Sequence, residues 1–234
     1  MDEETRFKPK TSFDVKKRQI ELVRDRGYFI SEEESMLLTP DYPEAEFDAR
    51  YQRIQVENKL PDFRQTLSSR YRHKVTGSIL YVLYSGDVGR SVKIDFIKEN
   101  VVTPFWEKST SFSELLIVLP NGTGFGPTSE DMLKKLPGLK FRVYTEQQLL
   151  VDPLRSIYNP VFTLVDRDKR AATLKRLMSS KGSRRNIEVF DPAMRWRGYE
   201  LGDLVATRQT NPFLNQATDI EVDVLSVIAV RRTK

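Results

Sequence analysis

The chain has 234 residues, 39% hydrophobic and 30% charged, with a net charge of +5, which allows one or two domains with their own cores under a densely charged surface. It has no cysteine and a single histidine, His73, which excludes disulfides, thiolate metal sites, cysteine nucleophiles and multi-histidine metal centres. No apolar run is long enough to span a bilayer, and the acidic start Met1-Asp2-Glu3-Glu4 is no secretory signal, so an intracellular protein without a membrane partner is expected.

Residues 1–12 are polar and expected to be loose. From Phe13 to Arg26, the apolar residues Phe13, Val15, Ile20, Leu22 and Val23 lie at helical spacing and leave a charged opposite face. Gly27 stops this helix after the turn Arg24-Asp25-Arg26. Tyr28-Phe29-Ile30 reads as extended, and Ser31 with Glu34 reads as a capping box. Between residues 36 and 76, Pro40, Pro43 and Pro61 interrupt the pattern, and short helices are expected rather than a sheet. Ser78–Tyr84 is a strand ended by Gly86 and Gly89. Ile94, Ile97, Val101 and Phe105 predict a helix over 91–106. Leu115–Leu119 is a buried strand, and Asn121–Pro127 a loop. Thr128 or Ser129 then caps a helix to about Leu136, and Leu139–Tyr144 is the next strand. This alternation of strand and helix is that of an α/β domain.

A linker with Pro153 and Pro160 follows. Residues 166–180 predict a basic helix with Ala171, Leu174, Leu177 and Met178 on one stripe. Short strands are expected around Val205 and from Ile220 to Val230, where apolar residues alternate with Glu221 and Asp223. Charge is uneven along the chain. Residues 151–234 hold 15 Lys+Arg against 10 Asp+Glu, whereas residues 1–150 hold 23 of each. The excess suggests an acidic partner surface or nearby nucleic acid for the last third.

Two tracts carry the most specific information. One is Val23-Arg24-Asp25-Arg26-Gly27-Tyr28-Phe29-Ile30 followed by Ser31 and Glu32 to Glu34. The other is Asp191-Pro192-Ala193-Met194-Arg195-Trp196-Arg197-Gly198, then Gly202-Asp203-Leu204-Val205. In the second, Asp191 can cap and Pro192 can occupy the first position of a helical turn. Gly198 can end that turn with positive φ, and Gly202 can turn the chain into a strand.

Both tracts resemble the ends of the fifth common subunit of eukaryotic nuclear RNA polymerases, the jaw-and-assembly subunit, whose shorter archaeal counterpart consists of the C-terminal part alone. The second tract matches without a gap at Asp191, Pro192, Arg195, Trp196, Gly198 and Gly202, which the resemblance makes candidate partner-binding residues. It implies an α/β fold with a nuclease-like α/β jaw domain at 1–150 and a small α+β assembly domain, similar to the archaeal counterpart, at 151–234. The implied function is structural and non-catalytic: docking on the largest polymerase subunit, beside other subunits and near downstream duplex DNA. The local basic cluster Arg70, Arg72 and Lys74 is the candidate for weak contact with that duplex. No cofactor or metal is implied. The implied location is the nucleus, or a virion or cytoplasmic viral factory. Two departures suggest a divergent member, of the kind a large DNA virus would encode. Asn211-Pro212-Phe213-Leu214-Asn215 replaces the family's Gly, Arg and Tyr after Arg208 and Thr210, and Val151–Asn159 lacks its His-rich linker.

Other motifs compete. Pro40-Asp41 with Glu57-Asn58-Lys59 is similar to metal-dependent nucleases, in which two carboxylates hold Mg²⁺ and a lysine orients water. The alternative function is therefore a DNA nuclease using Asp41, Glu57 and Lys59; a surface loop is the simpler use of this stretch. Gly122-x-Gly124-x-Gly126 precedes a helix but lacks the Lys-Ser/Thr of a phosphate loop, so a turn is expected. His73 reads as a solvated surface residue. The basic cluster Arg167, Lys169, Arg170, Lys175, Arg176, Lys181, Arg184 and Arg185 serves either as a solvated face or as a contact for an acidic partner or phosphates. Trp196 is expected to anchor an interface, with base stacking and core packing as the other uses.

Overall fold

The structure, a computed structural model, describes residues 9–86, 89, 91–107, 111–154, 161–179, 186–188, 191–209 and 224–231. The chain divides into two compact units, Met1–Val151 and Asp152–Lys234. Each contains a four-stranded sheet, and the fold is mixed α/β.

In the first unit helix α1, Pro9–Asp25, ends where Gly27 takes φ +84°. Helix α2, Glu32–Leu37, is capped by Ser31, whose hydroxyl accepts from the Glu34 amide. The expected reciprocal half of the capping box is replaced: the Glu34 carboxylate accepts instead from the Tyr71 hydroxyl. Helix α3, Glu44–Glu57, runs 14 residues with Phe47 and Tyr51 buried. Its prolines frame rather than interrupt it, since Pro43 is the N-cap and Pro61 follows its end. A 3₁₀ turn, Phe63–Leu67, leads into strand β1, Ser69–Arg72. That strand corrects the expectation of helices alone over 36–76.

Strand β2, Ile79–Tyr84, pairs antiparallel with β1. It runs parallel to β3, Glu114–Leu119, which runs parallel to β4, Lys140–Thr145. The sheet order is β1-β2-β3-β4. The segment between β2 and β3 is helical as expected, but not uniform. Helix α4, Ile94–Ile97, passes through a π turn at Lys98–Val102 into helix α5, Thr103–Trp106. Pro104 explains this, because its ring excludes the carbonyl four residues back and lacks an amide proton. The Thr103 amide reaches back to the Lys98 carbonyl instead, and the Asn100 side chain donates to the Phe96 carbonyl. Helix α6, Pro127–Lys134, starts at Pro127 with Gly126 as N-cap, not at Thr128 or Ser129. Helix α7, Glu146–Leu150, was not expected; a Thr145–Gln148 capping box starts it.

Alternation sorts the sheet into two buried faces. On one, Leu83, Leu115, Ile117 and Leu119 pack with Ile97, Val101 and Leu133 from the connecting helices. On the other lie Leu80, Val82, Tyr84, Leu116 and Val118, also buried. There α1 meets β1, since Lys16 donates to Ser69 and Tyr71. Each such aliphatic side chain contributes about 1.5–3 kcal/mol by leaving water.

The second unit orders its strands β5-β7-β8-β6: β5 Val161–Leu164, β6 Asn186–Glu188, β7 Leu204–Gln209 and β8 Val224–Arg231. Strand β6 is parallel to β8, and the other pairs are antiparallel. Strands β5 and β6 were not expected. Helix α8, Arg167–Ser179, coincides with the expected basic helix. Ala171, expected on its apolar stripe, is exposed; the side chains of Leu174, Leu177 and Met178 lie outside the described residues. Helix α9, Pro192–Arg197, precedes β7, and Phe162, Ala193, Met194 and Val205 form the unit's core with Leu154 and Tyr199 against it.

Candidate functional site

The first tract joins α1 to the sheet. Beyond Gly27, Tyr28 pairs antiparallel with His73, and the Phe29 amide donates to the Arg72 carbonyl at 2.9 Å. A Cβ on Gly27 would lie 3.2 Å from His73 Nε2, so positive φ and close approach both call for glycine. His73, expected to be a solvated surface residue, is partly exposed and also has a local role. Its Nδ1 accepts from the Val75 and Thr76 amides, closing the turn after β1, and its ring stands edge-on to Tyr28.

Glu114, at the head of β3, gathers three donors: Arg26 at 2.7 Å, the Tyr28 hydroxyl at 2.6 Å and Arg142 at 3.1 Å. Burial first, and then the Glu114 charge, push the Tyr28 phenol well above its ordinary range. Arg26 and Tyr28 thus use their polar groups inside the unit.

A second polar centre surrounds a fully buried lysine. Lys16, which the sequence reading did not single out, has no solvent exposure. Its ammonium lies 2.8 Å from Gln19 Oε1, 2.9 Å from Ser69 Oγ, 3.0 Å from the Leu67 carbonyl and 3.2 Å from both the Tyr71 hydroxyl and Glu34. Burial lowers its pKa, and Glu34 opposes that shift. The Tyr71 hydroxyl donates to Glu34 at 2.5 Å, and burial holds that phenol protonated far above the ordinary range.

Arg70, Arg72 and Lys74 are exposed, at and just beyond β1. Because Tyr28 opposes His73 and Arg70 opposes Tyr81, Phe29, Arg72, Arg70 and Tyr81 fall on one face. The Arg70 guanidinium stacks 4.9 Å from the Tyr81 ring centre, and the Lys74 ammonium lies 5.8 Å from that of Phe29. Spacing along the chain gives no sign that Phe29 joins these cations, because the hydrogen bond from Phe29 to Arg72 that unites them is a long-range one.

Asp41, Glu57 and Lys59 do not converge. Asp41 precedes α3 and Glu57 ends it, so about 20 Å of helix separates them, too far to share one Mg²⁺. All three are exposed, and no group of three His, Asp or Glu among the described residues is arranged to hold a metal. The glycine loop is a pinned turn: Gly122 has φ +83°, and the Val92 amide donates to the Gly124 carbonyl.

In the second unit four residues of the second tract have a local backbone use. Asp191 accepts from the Ala193 and Met194 amides, Pro192 takes the first helical position, Gly198 has φ +76° and Gly202 φ +84°. Trp196 is 1% exposed. It is core of its own unit rather than an open anchor, which is the packing alternative among its three uses. Arg195 is partly exposed, Pro192 and Gly202 are exposed, and Leu201 beside them is 49% exposed. Arg170 reaches Asp203 at 2.6 Å, so one cation of α8 is engaged within the unit. Lys181, Arg184 and Arg185 lie outside the described residues, as do residues 210–223, most of the divergent tract.

Comparison with protein-family models and with curated proteins finds no match. Among the described residues no helix is long and apolar enough to cross a membrane.

Proposed function

We propose that this protein is a non-catalytic subunit of a multisubunit DNA-directed RNA polymerase, a divergent relative of the fifth common subunit of the eukaryotic enzymes. The first unit serves as the jaw beside downstream DNA. The second serves as the assembly domain on the largest subunit. The observation that carries this reading is the Asp191–Val205 tract, where cap, proline, αL glycine and strand entry follow at the family's spacing. Trp196 and Met194 hold α9 from within, and Pro192, Arg195, Leu201 and Gly202 present the outward surface. Arg70, Arg72 and Lys74 supply sequence-independent phosphate contacts, which position a duplex without reading it.

Binary binding to the largest polymerase subunit of the same genome tests the reading. Leu201→Asp, a change on an exposed turn, is expected to weaken that complex roughly tenfold or more while the circular dichroism stays native. Undiminished binding moves the docking surface elsewhere. Mg²⁺-dependent cleavage of plasmid, abolished by Asp41→Asn, replaces the reading with the nuclease alternative.

A further inference from the structure

The face that carries Arg70, Arg72 and Lys74 has a feature that duplex contact does not need. Phe29 is 57% exposed, and its backbone is bonded to that of Arg72 on the outer side of β1, away from β2. Residues two apart on a strand lie roughly 7 Å apart on one face. Arg70 and Arg72 therefore form a row that Lys74 extends. Aromatic rings flank it on both sides, Phe29 on one and Tyr81 on the other. The residues paired with β1 on this face, Ile79, Tyr81 and Phe29, include no acid. The helices between β2 and β4 pack on Leu83, Leu115, Ile117 and Leu119, and Arg70 and Arg72 remain exposed at the sheet edge.

We infer that this edge binds a single-stranded segment of nucleic acid, with a base stacked on Phe29 and the backbone along Lys74, Arg72 and Arg70. A cationic track with an exposed aromatic ring beside it is the chemistry of sequence-tolerant single-strand binding. A duplex keeps its bases inside and leaves an aromatic ring unused; phosphate contact alone would need only the cations. Phe29 is not needed for folding in the way Tyr28 is, because Tyr28 is buried and bonded to Glu114 while Phe29 points outward. The inference rests on the reading that Arg70, Arg72 and Lys74 face nucleic acid, and adds the unpaired strand and the stacking residue.

The test is fluorescence anisotropy of a labelled oligothymidylate and of a labelled duplex, at low salt, with the full chain. Phe29→Leu, which keeps the apolar contact and removes the ring, is expected to weaken single-strand binding by about fivefold or more and to leave duplex binding unchanged. The triple variant Arg70→Ala, Arg72→Ala, Lys74→Ala is expected to weaken both and to flatten their salt dependence. If the triple variant loses duplex affinity while Phe29→Leu binds the single strand as wild type does, the stacking site is wrong and the duplex reading stands. If the triple variant binds both probes normally, both readings fall. If Phe29→Leu keeps nucleic-acid binding but loses a polymerase subunit, the edge is a protein interface and the inference is overturned.

Discussion

At the residue scale, Gly198 and Trp196 separate backbone geometry from packing within one short tract. Gly198 sits at φ +76°, so Gly198→Val is expected to cost about 1–3 kcal/mol. Trp196→Ala empties a buried site and is expected to cost about 3–5 kcal/mol. That is comparable to the whole stability of a unit this size, so the variant should lose the second unit's structure rather than one contact. Denaturant titration followed by circular dichroism reads both. Tyr84 tests the other unit. It is fully buried, and its hydroxyl has no hydrogen-bond partner among the described residues. Tyr84→Phe removes an unsatisfied group and is expected to raise stability at neutral pH by about 1 kcal/mol. These tracts were legible in the sequence to different degrees for a physical reason. Asp191, Pro192, Gly198 and Gly202 each answer a local backbone need, which residue type reveals. That Trp196 faces inward, and that Lys16 is buried, depends on what the rest of the chain brings alongside.

At the element scale, Lys16 pins α1 to α2 and β1, and the pairing Tyr28–His73 adds a second fastening. Lys16→Ala leaves the Glu34 carboxylate and Tyr71 in a buried site without their cation. It is expected to cost about 3–5 kcal/mol, whereas Lys16→Met with Glu34→Gln, which removes both charges, should cost clearly less. Equal losses in a denaturant series would show that the pair itself is not the fastening. The same layer predicts alkaline sensitivity. Burial raises the phenol pKa of Tyr28, Tyr51, Tyr71 and Tyr84. Unfolded phenols ionise near pH ~10, so above about pH 10 the folded state holds more protons than the unfolded one and stability falls as pH rises. Lys16, lowered by burial, works in the opposite direction below about pH 10. The fall is therefore to be read above that pH, and Tyr84→Phe should make it shallower. Helix α1 and strands β2, β3 and β4 were legible because apolar period and buried runs announce them. Strand β1 was not, since only Tyr71 of Ser-Arg-Tyr-Arg is buried and its pairing is set from afar. Helix α7 carried a local signal, Thr145 with Gln148, that a reading by apolar period passes over.

At the scale of the whole molecule, each unit has its own sheet and its own buried residues, so a fragment of residues 152–234 is expected to fold alone and to carry the docking surface. An unfolded fragment, or binding by residues 1–151 only, would remove the basis for assigning docking to the second unit. The central claim is that the chain belongs to a polymerase. Its most direct measurement is affinity purification of the tagged full chain from the cells that make it, with the co-purifying polypeptides identified by mass spectrometry. The account predicts the largest polymerase subunit in equimolar amount, with RNA synthesis on a DNA template by the purified assembly. Recovery of the chain free of polymerase subunits, in cells where an active polymerase is present, would contradict it.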